Sequence, residues 1–142
     1  MEDTKNIDME VNSYNPLVLA YMGDAVYEVY IRNMLIERRK ISVHKLHVKS
    51  ILYVKAAAQA EVLHEILEEL NSDEQDIVRR GRNAKSGTVP KNAKVIDYKH
   101  ATAFEALLGY LYLTKRNERL NSIMEKAVNI IDRKLSEVNN DE

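Results

Sequence analysis

Two acids in this chain stand where acids are expensive. Asp24 lies within LAYMGDAVYEVY and Glu105 within ATAFEALLGYLYL, segments that are apolar on nearly every side. A carboxylate in such a setting is costly unless it is paired or holds a cation. Each acid has a glycine close by, Gly23 next to Asp24 and Gly109 one turn after Glu105. Helices crossing at those glycines would turn both carboxylates into one cavity. Two carboxylates with no partner base repel each other and take up protons, and a divalent cation removes that conflict. Mg²⁺ often uses only one or two protein carboxylates, because it keeps several of its own waters. Bound there, it can activate a water against a phosphodiester. Glu28, one helical turn after Asp24, reaches the same face as an accessory acid. The competing reading is structural, with Asp24 paired to Arg32 or a basic residue elsewhere and Glu105 to His100 or Lys99.

The charge pattern supplies a second element of such chemistry. The net charge of −1 averages segments of opposite sign. Residues 56–78 carry seven acids and no Lys or Arg, whereas residues 79–100 carry seven bases against Asp97 alone. Another basic run, Arg38, Arg39, Lys40, Lys45, Lys49 and Lys55, contains no acid. Solvated helix faces explain many such runs, but here they keep a polyanion open as partner. Arg79, Arg80, Arg82 and Lys85 are the leading candidates for phosphate contacts, followed by Lys91 and Lys94. Binding through them should weaken with salt, as counterions are released from the polyanion.

The elements that must position these groups read as helices. Asn15 and Pro16 open the first strong segment as N-cap and first-turn proline, and it runs to residues 37–40. Ser42 caps a short helix reaching residues 46–49, and residues 50–70 continue with helical spacing. Ser72 with Gln75 resembles a capping box for a helix ending near Arg80. Periodicity then fails over residues 81–96, where GRNAKSGTVPKN reads as a long basic loop. Asp97 is placed to cap the next helix, and Asn117 opens the last one, whose apolar face ends at Leu135. Tyr21, Tyr27, Tyr30, Tyr110 and Tyr112 sit among apolar residues and are expected to pack in the core or a dimer contact. The result is a single all-α domain with a core at about residues 14–136 and flexible termini.

Composition narrows the remaining classes. The 142 residues fit one domain, and the absence of cysteine excludes disulfides and thiol nucleophiles. His44, His47 and His64 have no cysteine or nearby acid to complete a zinc set. The N-terminus lacks the basic and apolar regions of a secretory signal, and no apolar run reaches 18 residues. A cytoplasmic protein without membrane contact is the expectation.

YMGDAVYEVY resembles the signature segment of the ribonuclease III family, and ATAFEALLGYLYL its second acidic segment. The closest likeness is to the short Mini-ribonuclease III subgroup, whose pattern RRGRNAKSG at residues 79–87 also echoes. On this resemblance Asp24 and Glu105 take the places of the catalytic, metal-binding acids. The chain departs from the full-length family at Leu17, Ala20 and Thr102, where that family has further acids, and the subgroup shares this reduced set. The resemblance implies an all-α homodimer with a ribonuclease III-like fold, dependent on Mg²⁺ with Mn²⁺ as substitute. It implies hydrolysis of double-stranded RNA to 5′-phosphate and 3′-hydroxyl ends. It further implies maturation of a large-subunit (23S) ribosomal RNA precursor, with assistance from ribosomal proteins as an additional partnership. The family's C-terminal RNA-binding module has no room after Leu135, so the basic loop would have to supply the grip. The alternatives are a non-catalytic double-stranded-RNA-binding or ribosome-assembly protein that keeps the fold, motivated by Ala20 and Thr102, and a plain helical interaction protein.

Overall fold

The computed structural model describes residues 2–85 and 94–140, and these form seven α-helices with no strand among them. In chain order they are α1 (Glu2–Asn12), α2 (Pro16–Arg38), α3 (Val43–Val54), α4 (Ala56–Ile66), α5 (Ser72–Asn83), α6 (Val95–Leu113) and α7 (Asn117–Asn140). A single 3-10 turn, Leu67–Glu69, links α4 to the approach of α5.

Local chemistry sets most of the boundaries. The Asn15 side chain accepts from the Leu17 amide at 2.9 Å ahead of Pro16, starting α2 as expected. Ser42 does the same for Lys45 at the head of α3. The break between α3 and α4 falls at Lys55, whose backbone is extended, rather than near Lys49. The capping box of α5 is one residue earlier than the sequence suggested. Asn71 accepts from the Glu74 amide at 2.9 Å, and the Glu74 carboxylate accepts from the Asn71 amide at 3.0 Å. Lys94, without a side-chain cap bond, precedes α6, so Asp97 lies inside the first turn and does not cap it.

Helical structure extends past the expected bounds at three places. Gly81 belongs to α5, which continues to Asn83, so the irregular stretch begins later than residue 81. The last helix runs on past Leu135 to Asn140. The N-terminal residues form α1, which docks through buried Val11 and through Asp8, whose carboxylate takes two hydrogen bonds from Arg116. Charged residues hid that helix from a reading based on apolar periodicity.

At the centre lies α6. Every residue from Ala101 to Leu111 is buried except Glu105. A helix apolar all round belongs inside a bundle, and α2, α4 and α5 pack against this one. The approach of α2 is unusually close. A Cβ on Gly23 would lie 1.7 Å from the Glu105 carbonyl oxygen, and one on Gly109 would lie 1.9 Å from the Leu19 carbonyl oxygen. Only glycine permits those two backbones to meet. Gly81 serves α5 in the same way, 2.9 Å from the Ala103 Cα by the same measure. Tyr27 and Tyr110 are buried and Tyr30 partly so, as expected for packing residues. Tyr21 and Tyr112 are 80% and 47% exposed and take no part in this chain's core.

Candidate active site

The Gly23–Gly109 crossing fixes the site, because it presses the backbone beside Asp24 against that of Glu105. Asp24 stands at the open side of the crossing and Glu105 is mostly enclosed. Their carboxyl groups come within hydrogen-bonding reach of each other. Burial pushes the Glu105 carboxyl up to about 8 from its ordinary 4.5, with the Asp24 charge and the hydrogen bond to Asp24 adding to it. The Gln59 amide works the other way and Glu28 contributes further repulsion. Two acids are thus held together without a base between them. A divalent cation would resolve that conflict by letting both ionise, and one hard cation needs no more protein carboxylates than these.

Among the described residues neither acid has an ion-pair partner. Arg32 pairs with Glu28 at 3.2 Å rather than with Asp24. Glu105 finds neither Lys99 nor His100 as an ion-pair partner, and His100 instead stacks edge-on with His64 across a centroid distance of 5.2 Å. Glu28 is close enough to raise Glu105 but is committed to Arg32, which suits an accessory acid at the rim. Ala20 and Thr102 are buried, and the Thr102 hydroxyl donates to the Tyr98 carbonyl at 3.0 Å. Among the described residues no group of three or more His, Asp or Glu side chains gathers as a metal cluster.

The basic candidates separate on inspection. Arg79, Arg82, Lys85 and Lys94 are exposed. Arg79 also pairs with Asp76 on its own helix. Arg80 differs: its guanidinium donates to the Tyr14 carbonyl at 3.1 Å, tying α5 to the segment before α2. Lys85 lines an open cavity of about 430 Å³ with Asn83, Tyr98, Lys99 and Thr102, next to the first turns of the Glu105 helix. Lys91 lies outside the described residues.

Sequence reasoning missed Gln59. It lies in the alanine-rich start of α4, is 3% exposed, and brings its amide beside Glu105. The available signal was a lone amide among small residues on a face that packs on α6.

Comparison with known proteins bears on this geometry. The model of the Ribonuclease III domain family matches residues 17–116, a span that contains both acids. The Mini-ribonuclease 3 of Thermoanaerobacter sp. is 50% identical over 133 residues, covering 93% of this chain and 94% of the relative. That of Staphylococcus aureus is 43% identical over 127 residues, covering 88% and 95%. Among solved structures, protein FN1578 of Fusobacterium nucleatum superimposes with a TM-score of 0.77 at 30% identity, covering 84% of this chain and 96% of that one.

Proposed function

The chain belongs to the ribonuclease III family, in its Mini-ribonuclease 3 branch, and from that premise we propose a divalent-cation-dependent endoribonuclease that cuts double-stranded RNA. Asp24 and Glu105 are the catalytic pair, and the observation that carries the reading is their enforced contact at the Gly23–Gly109 crossing. A protein that only bound RNA would gain nothing from keeping two repelling carboxylates at a helix crossing. This weighs against the non-catalytic alternative despite Ala20 and Thr102.

Asp24 would offer the cation an oxygen from the open side of the crossing and Glu105 one from the enclosed side. Held by these two residues, Mg²⁺ or Mn²⁺ would supply the positive charge that lowers the pKa of a water and stabilises charge at phosphorus. The Glu105 backbone is anchored by its contact with Gly23, which fixes the point from which its carboxylate extends. Hydrolysis leaves 5′-phosphate and 3′-hydroxyl ends. Arg79, Arg82, Lys85 and Lys94 contact duplex phosphates, which suits recognition by shape and backbone.

An apolar stripe on α2 supports a homodimer. Val18, Tyr21, Val29 and Ile36 are all at least half exposed, and they recur at helical spacing along one element. An open groove of about 540 Å³ lined by Met22, Ala25, Val29 and Tyr112 continues that surface. Covering it with a second copy would resemble a domain core cut in half. A large-subunit (23S) ribosomal RNA precursor, met in the cytoplasm and with ribosomal proteins assisting, is the proposed natural substrate. No helix among the described residues is long and apolar enough to cross a membrane.

The deciding experiment incubates purified protein with defined duplex and single-stranded RNAs, with and without Mg²⁺, and maps the product ends. Duplex-specific cleavage that disappears in Asp24→Asn and Glu105→Gln is the expected result. Full cleavage by either variant overturns the assignment.

A further inference from the structure

Lys85, just past the end of α5, and Lys99, in the first half of α6, line one cavity of about 430 Å³. Neither has an ion-pair partner among the described residues, and no acid is among the described residues that line the cavity. Asn83, Tyr98 and Thr102 complete the polar part of its wall. Each ammonium offers three donors and no acceptor, so two of them at one opening repel until an anion lies between them. The frame that carries them is fixed. Gly81, also in the wall, lies so close to α6 that a Cβ there would stand 2.9 Å from the Ala103 Cα.

The cavity adjoins the acidic pair along one helix face. Thr102 and Tyr98 precede Glu105 by three and seven residues, so the three share a face of α6 and are spaced about 4.5 and 10.5 Å from Glu105 along its axis. That face is left uncovered by α2. The first contact of α2 with α6 is Gly23 on the Glu105 backbone, and the next is Tyr27 on Phe104, with ring centroids 5.4 Å apart. Phe104 lies about 200° round the helix from Thr102, so α2 passes on the opposite side and the end of α5 walls the cavity instead.

We propose that Lys85 and Lys99 together clamp one backbone phosphate of the RNA strand being cut, close to the scissile one, with Asn83 as a neutral donor to the same group. The proposal rests on the reading of Asp24 and Glu105 as the site of cleavage. It gives Lys99 a ligand and makes Lys85 its partner on a single phosphate, not a separate surface contact. Phosphate contacts position a strand without reading its sequence. A clamp beside the acids therefore sets the register of the strand against them, which is the orientation that a displacement at phosphorus needs.

The test measures duplex RNA binding by the full-length protein without divalent cation, so that no strand is cut, over a range of salt. The parent is compared with Lys85→Ala, Lys99→Ala and the double variant. Each single change should weaken binding about tenfold, and the double variant should lose little more than either. Its logarithmic salt slope should fall by about 0.9, the value for one phosphate. Duplexes carrying one neutral methylphosphonate linkage, moved along the cut strand, then locate the group. A single position near the scissile bond should weaken binding by the parent and leave the double variant unaffected. Parent-like binding by Lys99→Ala overturns the clamp. Losses that multiply in the double variant, with a slope change near twice 0.9, show two separate contacts and overturn it too. So does a scan in which no single linkage behaves as described. Each of these results leaves the acidic pair standing, whereas a parent that neither binds nor cuts duplex RNA overturns the reading of the site and this inference with it.

Discussion

Gly23 and Glu105 meet backbone to backbone: a Cβ on the glycine would stand 1.7 Å from the Glu105 carbonyl oxygen. The neighbouring Asp24 is therefore placed by a main-chain contact that no rotamer change can relax. Gly23→Ala should destabilise the fold by about 3 kcal/mol, at the upper end of ordinary overpacking, and should depress cleavage more than its stability loss explains. Gly109→Ala should behave alike, since its Cβ meets the Leu19 carbonyl. Urea denaturation beside duplex cleavage at a temperature where both variants are folded checks this. Parent-like melting would show that the helices can separate without cost.

Glu105 makes stability depend on pH in an unusual direction. Its folded-state value is about 8, above the ordinary 4.5, so the folded form holds a proton that the unfolded form has released. Stability from this group is complete below pH 4.5 and falls as pH rises towards 8, by at most about 1.4 kcal/mol per unit. The facing groups are Asp24 and Glu28 on α2 and the Gln59 amide on α4. In chelator, the parent should lose stability between pH 5 and 8, whereas Glu105→Gln should lose much less. Excess Mg²⁺ should flatten the parent's slope. A flat parent profile in chelator would contradict the enclosed acid pair.

Glu74 shows the opposite behaviour. Desolvation pushes its carboxyl up, but hydrogen bonds from Arg119 and the Asn71 amide outweigh this and hold it below its ordinary value. Its side chain is 2% exposed and bonds Arg119 twice at 2.9 Å. Arg119→Ala would strand a buried carboxylate and should cost about 3 kcal/mol. The contribution of Glu74 is present above pH 4.5 and is lost as pH falls through its lowered folded value. Thermal melts of Arg119→Ala at pH 7 should drop by several degrees without changing Mn²⁺ affinity.

The basic residues should divide into two classes. Arg82→Glu with Lys85→Glu should weaken duplex binding and flatten its salt dependence, each lost phosphate contact reducing the logarithmic slope by about 0.9. Their fold should melt as the parent does. Arg80→Ala should instead cost about 1–2 kcal/mol, because its guanidinium holds the Tyr14 carbonyl and bonds from charged donors are the stronger kind. Electrophoretic binding at several salt concentrations, paired with melting curves, separates the classes. Equal RNA effects with no stability loss for Arg80→Ala would reverse its assignment.

Helix identities were legible in the apolar spacing of α2 and α6, and the starts of α2 and α3 in the capping chemistry of Asn15 and Ser42. Such signals act over a few residues, so they survive without tertiary context. Capping at α5 slipped by one residue because Asn71–Glu74 and Ser72–Gln75 offer nearly equivalent patterns. Its reciprocal bonds, with Arg119 from α7 reinforcing Glu74, go to Asn71. Gly81 read as a loop because a glycine usually marks a break, whereas here it admits α6.

The sequence by itself determined that the protein is helical, that Asp24 and Glu105 are anomalous among apolar neighbours, and that glycines accompany both. Those facts depend on residue type and on spacing within one element. Only the tertiary structure decided that Gly23 and Gly109 belong to the same crossing, which sets one carboxylate at its open side and encloses the other. Distance between elements also set the Arg80 guanidinium on the Tyr14 carbonyl, left Tyr21 and Tyr112 outside the core, and brought Gln59 to Glu105. Hydrogen bonds and desolvation act through space, so groups dozens of residues apart acquire their roles when the helices pack.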